Sequence, residues 1–298
     1  MKILLTGSSG YVAQKLLPSL LDGGHQVICC VRDLKKVNFK QYQNSNLSII
    51  EVDFLDKNSL SKIPKDIDVA YYLIHSMSTK KGNFENMEEV CATNFKNHIN
   101  QTSAKQVIYL SGIVNSGKLS KHLSSRKNVE LILSNSKFAL TTLKAGIIIG
   151  SGSSSFEIMR DLVYKLPFMI APKWLKTKCQ PISINNVIEF LIGVIGQNET
   201  YNNSYDIGGP DILTYKEMLL GLADASNLKI RIVLLPIMTP RLSSYWLYFI
   251  TSTSFPLAKN LVNSMKIEVI CKENNLAKML DIKLIDYKTA LKLALSNQ

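Results

Sequence analysis

The first thirteen residues constrain the fold most strongly, because an apolar run leads directly into closely spaced small residues. Residues 2–5 are followed by Gly7, Gly10 and Ala13, and an apolar pattern of helical spacing begins there. Gly7 can adopt a positive φ angle without steric cost, so the chain can turn sharply. At Gly10 the missing side chain lets the backbone approach an anion at the start of the helix. The spacing therefore predicts a strand, a tight turn and a helix that binds the pyrophosphate of a nucleotide.

The next apolar run, residues 26–31, ends at Arg32. In nucleotide-binding folds the residue about twenty positions after the glycines contacts the ribose; an acid favours NAD, and an arginine suits the extra phosphate of NADP. Arg32 has this position, so we expect NADP(H) as the preferred cofactor and NAD(H) as the alternative. A strand–turn–helix unit without a ligand, with Arg32 as a solvated strand end, is the competing interpretation.

Apolar runs alternate with helical patterns throughout the first half of the chain. Strands are expected at residues 2–5, 26–31, 47–53, 68–75, 106–112 and 138–149, with helices between them. This alternation indicates parallel strands joined by right-handed crossovers. We therefore predict an α/β fold, a Rossmann-type doubly wound parallel sheet with a smaller C-terminal α+β cap.

The domain boundaries follow from where this alternation ends. The prediction is a nucleotide-binding Rossmann domain over residues 1–151, to whose sheet residues 180–208 return, and a substrate-binding cap over residues 152–179 and 209–298. Within the cap, Thr214 and Glu217 have the spacing of a capping box and predict the start of a helix.

Basic residues outnumber acidic ones, and the formal net charge is +12. This excess suits an anionic cofactor, an acidic partner or an anionic membrane surface. The basic residues form no run of about five or six, so nucleic acid is not an expected partner, whereas peripheral membrane contact stays open. The longest uncharged stretch, residues 242–258, is rich in serine and threonine and contains Pro256, so it does not predict a membrane span.

The five cysteines and four histidines show neither a Cys-x-x-Cys pair nor metal-ligand spacing, so no metal site is expected. Cys29 and Cys30 fall in a predicted buried strand. Unpaired thiols are typical of a reducing compartment, and the N-terminal apolar run is too short for a signal peptide. We therefore expect a cytoplasmic protein with a small-molecule substrate.

Several short motifs together carry a family resemblance. They are Asp53 and residues 6–13, 70–77, 148–153, 172–174, 180–182, 208–210 and 241–246. With them the chain resembles the extended and atypical branch of the short-chain dehydrogenase/reductase superfamily. It is most similar to the NAD(P)H-binding subgroup related to NmrA-like regulators and to a respiratory complex I accessory subunit.

The resemblance implies a set of cofactor contacts. The pyrophosphate would be held by Gly7, Ser9, Gly10, Tyr11 and Val12. The 2′-phosphate would lie at Arg32, the adenine at Asp53 and Phe54, and the nicotinamide ribose near Leu73, Ile74 and His75.

The chain departs from this family at the catalytic pair. Ordinary members use Tyr-x-x-x-Lys for proton transfer, together with a Ser or Thr after the fifth strand. Ser111 is present here, but His122 and Arg126 occupy the places of Tyr and Lys. Arg126 can hydrogen-bond the ribose, yet it cannot donate a proton, because its pKa exceeds about 12.

Ser111, His122 and His75 are therefore the candidate catalytic residues. Imidazole titrates near neutrality, so either histidine can in principle move a proton; ordinary surface or strand-end histidines are the alternative. The predicted function is an NADP(H)-binding, oxidoreductase-like protein that reduces a small carbonyl or quinone-like acceptor. Since the Tyr–Lys pair is absent, a non-catalytic NAD(P)H-sensing regulator, or an assembly or interaction protein, is the alternative.

Overall fold

A computed structural model describes residues 1–37, 44–75, 84–115, 121–235 and 265–296, without the side chains of residues 84 and 121–123. The apolar stretch 242–258, motif 241–246 and the last two residues of motif 70–77 lie outside the described residues.

Short strands and helices alternate from the N-terminus onward. The strands are β1 (Lys2–Leu5), β2 (Gln26–Val31), β3 (Leu47–Glu51), β4 (Val69–Tyr72), β5 (Gln106–Gly112), β6 (Ala139–Ala145), β7 (Ile148–Ile149), β8 (Phe168–Pro172), β9 (Lys178–Cys179), β10 (Ile182–Ser183), β11 (Asn203–Ile207), β12 (Leu213–Thr214) and β13 (Arg231–Leu235). The α-helices are α1 (Tyr11–Asp22), α2 (Phe84–Ile99), α3 (Lys121–Ser134), α4 (Ser154–Lys165), α5 (Ile184–Gly193), α6 (Tyr215–Ala225), α7 (Leu276–Met279) and α8 (Tyr287–Ser296).

Three predicted strands differ from the structure. The strand predicted at 47–53 ends at Glu51, so Asp53 follows the strand. The strand predicted at 68–75 ends at Tyr72, so His75 lies in the segment that leaves the sheet. The strand predicted at 138–149 is divided into β6 and β7. The division falls at Gly146, where a Cβ would lie 2.0 Å from the carbonyl oxygen of Gln180. This close backbone approach requires glycine and interrupts the strand.

Seven strands form the central sheet in the order β3-β2-β1-β4-β5-β6-β11. β1 pairs in parallel with β2 and with β4, and the parallel pairs β2–β3 and β4–β5 extend the sheet outward. The strand order reverses between β1 and β4, where such a sheet leaves a crevice at the carboxyl ends of its strands. The predicted Rossmann-type sheet is confirmed.

Helices cover both faces of this sheet. On one face Tyr72 and Tyr109 are buried together with Phe95 of α2, and the ring centroids of Tyr72 and Phe95 are 4.8 Å apart. On the other face, the hydroxyl of Tyr71 donates to the carbonyl of Leu191 in α5 at 2.7 Å. Successive strand residues point to opposite faces, so these contacts establish the double winding. Burying each such ring contributes about 1.5–3 kcal/mol.

The chain divides into two compact units. Unit 1 comprises Met1–Ser111, Ser125–Leu143 and Ile188–Tyr205, and unit 2 comprises Gly112–Ser124, Lys144–Val187 and Asp206–Gln298. Strands β1 to β4 lie wholly in unit 1. Within the described ranges, no helix combines the length and apolar character that crossing a membrane requires.

Unit 2 by itself packs helices on short strands. β8 and β13 pair in parallel, and Met169 and Ala171 of β8 are buried among residues of α4, α6 and α8. The predicted capping box is confirmed at the start of α6. Glu217 N–H donates to the Thr214 hydroxyl at 3.1 Å, and Thr214 N–H donates to the Glu217 carboxylate at 2.7 Å. This mixture of helices and strands agrees with the predicted α+β character.

Candidate functional site

The loop after β1 is held against the segment after β4. The Thr6 hydroxyl donates to the Tyr71 carbonyl at 2.8 Å and accepts from Leu73 N–H at 3.2 Å. Gly7 has a φ of +64°, in the left-handed region that favours glycine. A Cβ at this residue would lie 2.6 Å from the Leu73 carbonyl oxygen. Backbone conformation and close approach therefore both require the glycine.

The start of α1 has no side-chain cap. Its N-cap is Gly10, which has no side chain to cap the helix, and no acidic residue lies in the first turn. Gly10 N–H donates to the Gly7 carbonyl at 2.8 Å, which closes the turn into the helix. The first-turn N–H groups and the helix dipole, worth about half a positive charge, point toward this loop. Ala13 is 1% exposed, as a packing role requires.

A cleft opens beside this loop within unit 1, and we call it the β1–β4 cleft. Nine of the twelve residues predicted to contact the cofactor line it: Gly7, Ser9, Gly10, Arg32, Asp53, Phe54, Leu73, Ile74 and His75. Tyr11, Val12 and Arg126 are not among its described lining residues. Residues from the ends of β1, β2, β3 and β4 thus meet at one edge of the sheet, as the topology dictates.

Basic residues follow the carboxyl end of β2, where the strand borders the cleft. Arg32 is exposed and follows β2 directly. Its acidic neighbour Asp33 accepts a hydrogen bond from Lys35 N–H at 2.9 Å and pairs with Lys36 Nζ at 3.0 Å. The hydrogen bonds from Lys36 and Lys35 keep the pKa of Asp33 below its usual value. Since Asp33 already has these partners, the Arg32 guanidinium gives this end of the cleft a positive charge.

Asp53 and Phe54 form a stiff segment just after β3. Asp53 Oδ1 accepts from Leu55 N–H at 3.0 Å, and Asp53 N–H donates to the Ser59 hydroxyl at 3.0 Å. The Phe54 carbonyl accepts from the Asn94 amide at 2.8 Å. Phe54 is only 5% exposed, so its ring belongs mainly to the core and presents a small apolar surface to the cleft.

A buried carboxylate supports the histidine at the β4 end of the cleft. His75 Nδ1 is 2.7 Å from Glu88 Oε1. The Ser125 hydroxyl of α3 donates to the other carboxylate oxygen, Glu88 Oε2. Glu88 is 2% exposed, whereas about a quarter of the His75 side chain is exposed. We call these two residues the His75–Glu88 pair.

The electrostatic surroundings fix the charges of this pair. Burial and the positive charge of Arg126 lower the pKa of His75 to about 4, although its hydrogen bond to Glu88 acts in the opposite direction. Burial alone would raise the pKa of Glu88, but the hydrogen bonds from His75 and Ser125 and the charge of Arg126 lower it to about 2. At neutral pH the pair is therefore a neutral imidazole beside an ionised carboxylate.

Three further predicted site residues belong to β5 and α3. Arg126 is half-buried, and its Nη1 donates to the Leu110 carbonyl at 3.3 Å and to the Tyr109 hydroxyl at 3.4 Å. Ser111 is the next residue of β5 and is buried. The backbone of His122 belongs to the first turn of α3, and its side chain lies outside the described part of the structure.

The sequence interpretation missed Glu88 and Ser125. A signal for Glu88 exists, because it shares the spacing of Cys91, Phe95 and Ile99 on the buried face of α2. An acidic residue on an apolar stripe needs a partner when it is buried. Ser125 gives no comparable signal, since its contact depends on how α2 and α3 are packed.

The model of the NmrA-like family matches residues 1–239 of the chain. A chloroplastic divinyl chlorophyllide a 8-vinyl-reductase from Arabidopsis thaliana is 22% identical over 228 residues, which cover 70% of this chain and 53% of that protein. The chain spans about half the length of the curated relatives of this kind that it matches.

Two solved structures illustrate the similarity of fold. One is a Citrobacter sp. triphenylmethane reductase complexed with NADP(H), with a TM-score of 0.78, 15% identity and coverage of 99% of this chain and 100% of that one. The other is a nucleoside-diphosphate-sugar epimerase from Staphylococcus aureus, with a TM-score of 0.77, 15% identity and coverage of 98% and 100%. At these identities the similarity establishes the fold alone.

Proposed function

Because the chain belongs to the NmrA-like family, we propose that it is an oxidoreductase that binds NADP(H) in the β1–β4 cleft. The observation that carries the proposal is the composition of this cleft. Three features border this one opening. They are the start of α1, which has no side-chain cap, the exposed Arg32, and His75, whose imidazole contacts the Glu88 carboxylate.

The lining residues fit the parts of the dinucleotide. The start of α1, with Gly7, Ser9 and Gly10, supplies N–H donors for the pyrophosphate. Arg32 offers charge-assisted hydrogen bonds to a 2′-phosphate. Asp53 and Phe54 would contact the adenosine, and Leu73, Ile74 and His75 the nicotinamide ribose. Bound NADPH supplies a hydride, and the protein orients the acceptor and controls the accompanying proton.

We propose a small carbonyl or quinone-like molecule as the acceptor. Reduction of such a group needs one hydride and at least one proton, and His75 is the imidazole among the described residues that line the cleft. The plant relatives and the Citrobacter protein are named as reductases, which supports a reduction as the class of reaction.

Acceptor-dependent oxidation of NADPH tests the proposal. Purified protein is incubated with NADPH and a panel of quinones and carbonyl compounds, and NADPH absorbance is followed. Gly10→Asp serves as the control, because a carboxylate at the start of α1 repels the pyrophosphate. Turnover by the wild type and not by the control is expected. Tight NADPH binding without turnover on any acceptor would contradict the reductase assignment.

That last result would favour a second function, a sensor of NAD(P)H. One observation supports it: Arg126, at the place of the family lysine, is hydrogen-bonded to Leu110 and Tyr109 beside the cleft. A sensor binds the dinucleotide and a partner without chemistry. Capture of a partner that depends on NADPH, combined with no turnover, distinguishes it from a reductase.

A further inference from the structure

The reaction proposed above needs a group that moves a proton, and one buried cluster has the geometry for that task. His75 lines the β1–β4 cleft, and Glu88 lies behind it, 2.7 Å from Nδ1. Ser125 donates to the second oxygen of the same carboxylate. Both oxygens of Glu88 therefore accept hydrogen bonds from fixed side chains, although the residue is almost wholly buried.

We propose that Glu88 is a positioning residue that holds His75 with its hydrogen on Nδ1, so that Nε2 exchanges the proton with the substrate. An ionised carboxylate can only accept, so the hydrogen between the two residues belongs to the imidazole. In this tautomer Nε2 carries the lone pair. The inference rests on the proposed function, because it assigns the proton step of that reaction.

The groups that face the pair decide its protonation. Among the described residues they include Cys91 of α2, Ser125 and Arg126 of α3 and Tyr72 of β4, with Tyr109 of β5 next to Arg126 and Tyr72. Burial raises the pKa of Cys91 to about 12 and that of Tyr72 well above its usual value, so both are neutral. Among the described residues, Arg126 and Glu88 act on the pKa of His75 in opposite directions, and burial together with Arg126 outweighs Glu88, so the resting imidazole is neutral.

The proposed step balances in both directions. In reduction, the carbonyl carbon of the acceptor gains a hydride from NADPH, and its oxygen takes a proton from Nε2 of protonated His75. The products are an alcohol and NADP⁺, and neutral His75 regains a proton from water. In oxidation, Nε2 removes the hydroxyl proton while the hydride returns to NADP⁺. The Glu88 carboxylate stabilises the imidazolium that exists during either transfer.

The first experiment needs neither turnover nor cofactor. ¹⁵N NMR of the histidine side chains reports the tautomer of His75 at neutral pH. We expect the hydrogen on Nδ1 in the wild type and a shift of hydrogen toward Nε2 in Glu88→Met, which has a similar volume and no acceptor oxygen. Glu89→Gln, an exposed acid on the same helix, is the matched control and should leave the signal unchanged. An Nε2–H tautomer in the wild type would overturn the positioning role.

The second experiment measures the proton step. Glu88→Gln and Glu88→Met should lower kcat by about tenfold or more, with KM and NADPH affinity nearly unchanged, whereas Glu89→Gln should match the wild type. The wild-type kcat/KM for reduction should rise as the pH falls toward about 4, the pKa of His75. Unchanged kcat in both Glu88 variants would overturn the proton-transfer role.

The two experiments separate failure of this inference from failure of the proposed function. If the wild type binds NADPH and shows the expected tautomer but reduces no acceptor, the reductase assignment fails, and the proton-transfer role fails with it. If turnover is robust and Glu88 has no effect on it, only the inference fails.

Discussion

Replacing Gly7 by alanine should destabilise the protein and abolish nucleotide binding, and Gly24→Ala provides the matched comparison. Both glycines have positive φ angles, +64° and +73°. Holding an alanine in this region costs about 1–2 kcal/mol. A Cβ at Gly24 would meet nothing within 4 Å, whereas a Cβ at Gly7 would lie 2.6 Å from the Leu73 carbonyl oxygen. That overlap with rigid backbone adds about 1–3 kcal/mol.

We therefore expect Gly7→Ala to lose about 2–5 kcal/mol and Gly24→Ala about 1–2 kcal/mol. Since domains have roughly 5–15 kcal/mol of stability, Gly24→Ala should remain folded, whereas Gly7→Ala should lose a large fraction of its stability. Urea unfolding measures the two losses, and calorimetry measures NADPH binding. Binding should disappear in Gly7→Ala, because the overlap displaces the backbone of Leu73, which lines the β1–β4 cleft, and it should persist in Gly24→Ala. Equal losses of stability in the two variants would refute the close approach of the Gly7 loop to the Leu73 carbonyl.

Three further outcomes follow from the same structure. Gly10→Asp should abolish NADPH binding in calorimetry while chemical unfolding shows stability within about 1 kcal/mol of the wild type, since the preference for aspartate at an N-cap offsets the 3.0 Å approach of its Cβ to the Gly7 carbonyl oxygen; retained NADPH binding would contradict it. Thr214→Ala should lose about 1 kcal/mol in urea unfolding by removing the capping box, and a neutral effect would argue against that cap. His75, with a pKa lowered to about 4 from an ordinary 6.5, takes up its proton more readily when unfolded, so its stabilising contribution is complete above pH 6.5 and declines as the pH falls toward 4. Between about pH 7.5 and 5.5 the wild type should lose about 1 kcal/mol more than His75→Asn, and parallel pH curves would contradict the lowered pKa.

The sequence predicts the fold class because the signals for its strands, turns and helices are local. Apolar runs and helical periodicity predicted β2 and β5 with their observed bounds, and the glycine spacing at 7 and 10 predicted the turn into α1. The alternation of elements then implied the parallel order of the strands. The rule that ligands bind at the carboxyl ends of strands predicts that Gly7, Arg32, Asp53, His75 and Ser111 border one crevice. The first four line the β1–β4 cleft, and Ser111 is not among its described lining residues.

The polar cluster behind the cleft was not predictable, because it depends on tertiary packing. Glu88 and Ser125 are 37 residues apart, and they meet only where α2 and α3 pack. The same limit applies to Arg126, whose contacts with Leu110 and Tyr109 depend on the packing of α3 beside β5. In unit 2 the pairing of β8 with β13 joins segments that are far apart in the sequence, so local patterns do not predict it.

The most direct test of the account compares the affinities for NADPH and NADH in Arg32→Ala and in Lys35→Ala. Both residues are exposed and basic, but only Arg32 lines the β1–β4 cleft among the described residues. Calorimetric titration should show a preference for NADPH in the wild type and in Lys35→Ala. In Arg32→Ala the affinity for NADPH should fall by roughly 10- to 100-fold while that for NADH stays constant. An unchanged ratio of NADPH to NADH affinity in Arg32→Ala, or no binding of either dinucleotide to the wild type, would contradict the binding of NADP(H) in the β1–β4 cleft.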